Sequence, residues 1–214
     1  RNVLTNETVV VAYLENSLKS WPAWRRKYGD LEIFQIVERV KRLFSNRQIR
    51  TVLTGHSGGG SLTFGYMNSV GGFPPDMERV AFLDSNYAYE TTNHLGKFVD
   101  WLNRSPSNSL CVLAYNDGYA LLDGKTFVTN GTWKLSHKML SDLGGAFDFE
   151  CRTNGNLRTC SAKQGKVQFI LLENPERKVL HTVQVERNGF VHAMLTGTAF
   201  ENVGYEYMGA RAYS

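Results

Sequence analysis

Gly55, His56, Ser57, Gly58 and Gly59 set one hydroxyl among small residues, after the β-forming run "RTVLT" and before the apolar stretch "SLTFGYMNSV". Two kinds of chemistry use glycines in this way: phosphate cradling and nucleophile presentation. A phosphate-binding loop needs Lys followed by Ser or Thr after its second glycine, and this stretch holds no lysine. A dinucleotide fingerprint needs glycine where Ser57 stands and an acid at a strand end about twenty positions later. Asp84 comes too late for that role, beyond a helix and a Pro-Pro loop. The pattern that fits throughout is G-x-S-x-G on a strand-to-helix turn. Such a turn demands small residues two before and two after the serine, here Gly55 and Gly59, and lifts Oγ to the C-terminal edge of a sheet. The Gly58 N–H then points to where an oxyanion forms during acyl transfer. Gly60 has no assigned purpose in this reading.

A serine hydroxyl is not nucleophilic at neutral pH without a base, and histidine is the usual one. His56 adjoins Ser57, but its side chain is expected to point away across the turn and to shape the pocket. His94 and His137 open amphipathic helices and read as solvated or capping residues, while His181 opens a predicted strand and reads as structural. His192, in the loop "NGFVHAML" after the last predicted strand, is the expected base. The orienting acid should end a strand between serine and histidine. Asp84 in "AFLDSNY" and Asp117 in "LAYNDGY" both meet that condition. No Cys/His spacing suggests a metal, and acyl transfer on these groups calls for no cofactor.

These groups need elements to position them. "TVVVAYL" (residues 8–14) is an unbroken β-branched run, the pattern of a strand covered on both faces. "GDLEIFQIVERVKRLF" spaces apolar residues at helical intervals, with Asp30 as candidate N-cap. "RTVLT", "RVAFLD" and "SLCVLAYND" are strands, separated by helices over "SLTFGYMNSV" and "HLGKFVDWLNR". "ALLDGKTFV" reads as a hairpin on Asp123–Gly124, and "SHKMLSDLGG" as a short helix. "AFDFEC", "KVQFILLE" and "LHTVQVE" complete the strands. Strands alternating with amphipathic helices predict a mainly parallel sheet in one α/β domain spanning residues 1–214.

Whole-chain properties narrow the function classes. At 214 residues and 42% hydrophobic, the chain can bury a substantial core, so disorder is excluded as an expectation. The formal net charge of +4 is modest and no recognition motif accompanies it, so no nucleic-acid partner is expected. No apolar run approaches a membrane span. The chain starts at Arg1 without a methionine, so an upstream portion is expected to have been removed, which leaves an export signal open. Cys151 and Cys160 would face each other across a hairpin turning at Gly155–Asn156, and such a disulfide would favour a secreted or periplasmic setting. Cys111, in an apolar strand, reads as core.

The order Ser, Asp, His, with G-x-S-x-G on a strand-to-helix turn, resembles the α/β-hydrolase superfamily from about Val9 to the C-terminus. The resemblance implies a three-layer, doubly wound, mostly parallel sheet and hydrolysis through an acyl-enzyme. In most members the acid follows the second strand after the elbow, which selects Asp117, and a minority use the first, which keeps Asp84 open. The resemblance also implies a strand and an oxyanion loop upstream of the elbow. "VVVAYL" is expected beside the elbow strand, with Glu15–Trp21 as the loop and a backbone N–H near Asn16 or Ser17 as the second donor. Strands "FDFEC" and "KVQFILLE" would be an insertion, and "LHTVQVE" the last strand of the sheet.

The expected activity is cleavage of a small-molecule or carbohydrate ester by Ser57, His192 and Asp117, with Gly58 in the oxyanion hole. Trp21 and Trp24 in "SWPAWRR" are placed to stack on a sugar or aryl ring, with Arg25 or Arg26 meeting an acidic group. The same machinery would serve a peptidase or acyltransferase. The alternative from another class is a non-catalytic α/β-hydrolase-like binding domain.

Overall fold

Apolar side chains alternate along the central strands and so build two separate cores. Val80, Phe82, Leu110, Val112, Phe169 and Leu171 face the larger one, whereas Ala81, Leu83, Cys111, Leu113 and Ile170 face the smaller. The computed structural model describes residues 8–118, 121–122, 126–127 and 131–213. Its principal strands are β1 (Thr51–His56), β2 (Met77–Leu83), β3 (Ser109–Tyr115), β6 (Glu150–Asn154), β7 (Leu157–Ala162) and β8 (Val167–Leu172). They form one sheet in the order β1-β2-β3-β8-β7-β6. The first four strands run parallel and the last two join antiparallel.

The strand order from β1 to β8 never reverses, and right-handed crossovers then send successive helices to one face. The helices α2 (Asp30–Arg42), α3 (Gly60–Ser69), α4 (Thr91–Arg104) and α5 (Thr132–Leu143) supply residues to the larger core. Short α6 (Phe190–Leu195) and the C-terminal segment cover the other face through Ala193 and Tyr207. The result is an α/β fold on a mixed, mostly parallel sheet. The parallel strands β1, β2, β3 and β8 follow one another in chain order, while β6 and β7 run back toward β8 from the far edge of the sheet.

Local sequence accounts for the elements nearest the site. The helix α1 (Trp21–Tyr28) starts where Ser20 Oγ accepts the Ala23 N–H, with Pro22 in the first turn, where a missing N–H costs nothing. Gly29, at φ 85°, ends α1 and lets α2 turn away. Within α2, Ile33 and Val37 fall one turn apart and are both buried. Helix α3 is buried throughout its first eight residues because it lies between the sheet and α2. Trp101 of α4 is fully buried and donates its indole N–H to Met77 O at 2.8 Å, so burial leaves no polar group unpaired there. No helix among the described residues is long and apolar enough to cross a membrane.

Three expectations about elements need correction. Residues 8–14 form no strand; Val9, Val10 and Val11 are more than half exposed and the elbow strand β1 lies at the sheet edge. β-propensity alone does not make a strand without a partner and a covered face. "KVQFILLE" is no insertion, because β8 pairs in parallel with β3 and continues the main sheet. "LHTVQVE" is correspondingly not the last strand, since residues 180–186 run as turns into the irregular helical turn Val185–Gly189. The hairpin of "ALLDGKTFV" is present as antiparallel β4 (Leu121–Leu122) and β5 (Thr126–Phe127). Its Asp123–Gly124 turn lies outside the described residues. Cys151 and Cys160 are bonded opposite each other across the β6–β7 hairpin, as the Gly155–Asn156 turn predicts.

Candidate active site

Strand β1 ends at His56, and the chain turns at once into a 3-10 turn over Ser57–Gly59 that runs on into α3. Ser57 occupies the left-handed region at φ 54°, where a non-glycine residue costs about 1–3 kcal/mol. A Cβ on Gly55 would lie 2.4 Å from the Gly59 carbonyl carbon, so this position admits only glycine. A Cβ on Gly59 itself would meet nothing within 4 Å. The second steric demand falls one residue later, because a Cβ on Gly60 would sit 1.8 Å from the Ser85 carbonyl oxygen. The expected role of Gly59 is thereby transferred to Gly60. Ser85 also ties its loop to the elbow, donating its hydroxyl to Gly55 O at 2.7 Å.

The next strand leads into a buried carboxylate. Asp84 follows β2 directly, has φ 49° and is only 1% exposed. Its N–H donates to Leu113 O at 2.7 Å, fixing the carboxylate over the C-terminal end of the sheet. Oδ2 of Asp84 lies 2.5 Å from Nδ1 of His181. Oδ1 accepts the hydroxyl of Thr132, the first residue of α5. The two oxygens of one buried carboxylate are thus both engaged.

Asp117 stands one step behind. It accepts the Thr132 N–H at 3.0 Å, and a Cβ on Gly131 would lie 1.9 Å from its Oδ2, so glycine makes room for it. Burial first, and the Asp84 charge second, push the Asp117 carboxyl up to about 6. No histidine side chain bonds to Asp117 among the described residues.

His181 is held from two sides. Its side chain meets Asp84 and is 26% exposed. Its carbonyl accepts from His56 Nε2 at 2.9 Å, and the two rings lie 4.3 Å apart. Burial, reinforced by His181, lowers the His56 pKa, and because its partner is a carbonyl, Nε2 is the donor. His56, the neighbour of Ser57 in the chain, therefore fastens the histidine loop to the elbow.

His192 is elsewhere. It sits on α6, is 3% exposed, and packs against Tyr207 at 5.3 Å between ring centres. Tyr205 Oη lies 3.2 Å from its Nδ1, and among the described residues its buried Nε2 has no partner and no carboxylate bonds to it. Burial depresses its pKa. The neighbouring Ala193 carbonyl accepts from Arg79 on β2, which anchors α6 to the smaller core. The structure does not bring His192 and Asp117 together, whereas it does join His181 to Asp84. The signal for His181 was the loop after the last parallel strand, and it was masked because "LHTVQVE" reads as that strand while β8 is the real one. His94 accepts the N–H of Glu90, the N-cap of α4, in keeping with a capping role, whereas His137 lies inside α5 and bonds to Trp133 O, so its expected place at a helix start is not observed.

A cleft of about 410 Å³ lies against the elbow, lined by Pro22, Arg25, Arg26, Asp30, Ser57, Gly58, Ser61, Tyr87 and Ala88. Trp21 and Trp24 do not line it; they meet edge to face at 5.7 Å and pack against the larger core. Arg25 does line it, but its guanidinium is held by both oxygens of Asp30, at 2.6 and 3.0 Å, and reaches Ser61 Oγ at 3.1 Å. Asn16 and Ser17 lie outside the cleft in an exposed turn, where Asn16 accepts the Leu18 and Lys19 N–H groups. Pro22 takes the place nearest Gly58, its Cδ 3.3 Å from where a Cβ would stand. No group of three or more metal-ligating side chains occurs among the described residues. Compared with protein-family models, curated proteins and solved structures, the chain matches none.

Proposed function

We propose that the chain is a serine hydrolase that cleaves carboxylic esters through an acyl-enzyme on Ser57, with His181 as base and Asp84 as its orienting acid. The observation that carries this reading is the bond between a buried carboxylate and Nδ1 of His181, in a loop that His56 fastens beside Ser57. With Nδ1–H held by Asp84, the remaining lone pair of the neutral ring is on Nε2, the atom a general base needs. The strained backbone at Ser57 is the second support, since such strain survives only where surrounding contacts over-determine it.

In the proposed mechanism, His181 Nε2 takes the Ser57 hydroxyl proton as Oγ bonds to the ester carbonyl carbon. The negative charge passes to the carbonyl oxygen, facing the Gly58 N–H at the start of the turn, where no intrahelical acceptor competes. The carbon–oxygen bond to the alcohol breaks and the alcohol leaves with the proton from His181. Water then attacks the acyl carbon, gives its proton to His181, and displaces Oγ, which recovers that proton. The sum is ester plus water giving acid plus alcohol. Thr132 holds the Asp84 oxygen not used by His181, and Asp117 holds Thr132.

A fluorophosphonate probe tests this directly. Wild-type protein is expected to be labelled on Ser57, Ser57→Ala to be unlabelled, and His181→Gln to label at least a hundredfold more slowly, a deficit about the size general-base catalysis supplies. His192→Gln is expected to label at a rate near wild type. Labelling that follows His192 instead of His181 would overturn the assignment.

A further inference from the structure

The cleft beside Ser57 contains three charged side chains, and two of them cancel. Asp30 gives one oxygen to Arg25 Nε and the other to Arg25 Nη2, so a single carboxylate and a single guanidinium satisfy each other. The remaining Arg25 nitrogen Nη1 is committed to Ser61 Oγ at the foot of α3. Arg26 is different: it is exposed, lines the same cleft, and makes no ion pair or hydrogen bond among the described residues. Among the described residues the cleft therefore carries one uncompensated positive charge. Its other walls, Pro22, Tyr87 and Ala88, offer no carboxylate to neutralise it.

Helix geometry places that charge relative to the nucleophile. Pro22 touches the elbow at Gly58, and Arg26 follows it by four residues, on the same face of α1 and about 6 Å further along the axis. We infer that the site takes esters bearing an anionic group, a carboxylate or a phosphate, a few bonds from the scissile carbonyl, and that Arg26 is its counter-ion. This inference rests on Ser57 being the nucleophile. Arg26 is the specificity-determining residue, and Arg25 is the strut that holds α1 on α3. The apolar side chains of Pro22, Tyr87 and Ala88 line the path between the two ends of the substrate, which favours a short hydrocarbon linker over a polar one.

The test compares matched 4-nitrophenyl esters: neutral acetate and butyrate, a hemiglutarate carrying a carboxylate, and an acyl ester of equal length carrying a phosphate. Wild-type protein is expected to favour the anionic esters in kcat/KM, and added salt to reduce that preference. In Arg26→Gln the ratio of anionic to neutral kcat/KM should fall about tenfold or more, the scale of one lost hydrogen bond to a charged group. Arg26→Lys should recover part of it, while Arg39→Gln, which removes the same charge from α2 outside the cleft, should leave the ratio unmoved. The carboxylate and phosphate esters decide between the two anions. The Ser57→Ala variant provides a readout without turnover: calorimetric binding of the hemiglutarate should weaken when Arg26→Gln is added. A ratio that does not change in Arg26→Gln, with Ser57 still labelled by the fluorophosphonate and neutral ester still turned over, overturns the role of Arg26 alone. Absence of both labelling and turnover overturns the hydrolase reading as well.

Discussion

Replacing Asp84 by Asn, with Asp117→Asn as its counterpart, separates an acid that acts on the histidine from one that supports it. Asp84→Asn keeps the shape but removes the charge 2.5 Å from His181 Nδ1. The imidazolium formed during attack then loses its partner. For charge centres about 4 Å apart at an effective dielectric of about 20, that interaction is worth about 4 kcal/mol. Since about 1.4 kcal/mol is tenfold in rate, the charge alone accounts for about a thousandfold in kcat. A carboxamide that presents its NH2 to the ring also stabilises the wrong tautomer, which brings the expected loss to about 10³–10⁴-fold. Asp117→Asn is a milder change, because the amide oxygen still accepts the Thr132 N–H and Thr132 still reaches Asp84. Its kcat is expected within about tenfold of wild type, less than the loss of one hydrogen bond to a charged group would bring. Steady-state hydrolysis of a 4-nitrophenyl ester, with each variant's fold checked by thermal unfolding, measures both. Equal losses at the two positions, or a larger loss at Asp117, would refute the assignment of the acid.

Three further outcomes follow from the same geometry. Thr132→Val removes the hydroxyl that Asp84 Oδ1 accepts while filling the same buried volume, and kcat should fall about 10–100-fold with KM little changed. Gly60→Ala should cost about 3 kcal/mol or more in urea unfolding, because its Cβ meets the Ser85 carbonyl. Gly59→Ala, in open helical backbone, should be neutral or stabilising by up to about 1 kcal/mol. Equal costs for the two alanines would show that the elbow is not built this way. The raised Asp117 pKa, about 6, works against the native state as pH rises. Between about pH 4 and pH 6 the unfolded chain releases this proton first and so binds fewer, and its share of stability is lost as pH climbs through that window. Relative to wild type, Asp117→Asn should therefore gain in Tm between pH 4.5 and pH 7, and a gain toward lower pH would refute the buried-pair account.

The elbow was legible in the chain because G-x-S-x-G is a local pattern whose steric demands are met within a few residues. Even so, only Gly55 has its expected partner; the crowding at Gly60 comes from Ser85, which is distant in sequence and invisible to a pentapeptide rule. Strands β1, β2, β3 and β8 and helices α2 to α5 were legible because each buries a face whose period shows in the residue types. The histidine was not, and the reason is specific. "LHTVQVE" has strand-like alternation, but β7 already occupies the far side of β8, where it was expected to continue the sheet. Pairing is a long-range property that residue propensity does not carry, and the histidine that meets Asp84 lies eleven residues before His192. Asp84 and Asp117 were both visible as strand-end acids. What separates them is the contact of Asp84 with His181, which lies 97 residues away in sequence and leaves no local signature.

The position of β1 raises a physical question about how the site is held. In most parallel sheets the strand that carries a nucleophile is flanked on both sides, and its turn inherits rigidity from two ladders. Here β1 has one ladder, to β2, and its residues are mostly half-buried where those of β3 are fully buried. The turn is clamped by other means. Ser85, from the loop after β2, bonds to Gly55 O and closes on Gly60; Pro22 of α1 rests on Gly58; Arg25 ties α1 to Ser61 and Asp30. Each clamp reaches the elbow from a different element, and one of them, α1, also forms the wall of the cleft that carries Arg26. Loosening α1 should therefore disturb both the presentation of Ser57 and the charge beside it, whereas loosening the Ser85 loop should disturb Ser57 and, through its neighbour Asp84, the histidine. The two halves of the proposed chemistry, nucleophile with substrate wall and acid with base, meet only at the elbow, which is why its glycines tolerate so little.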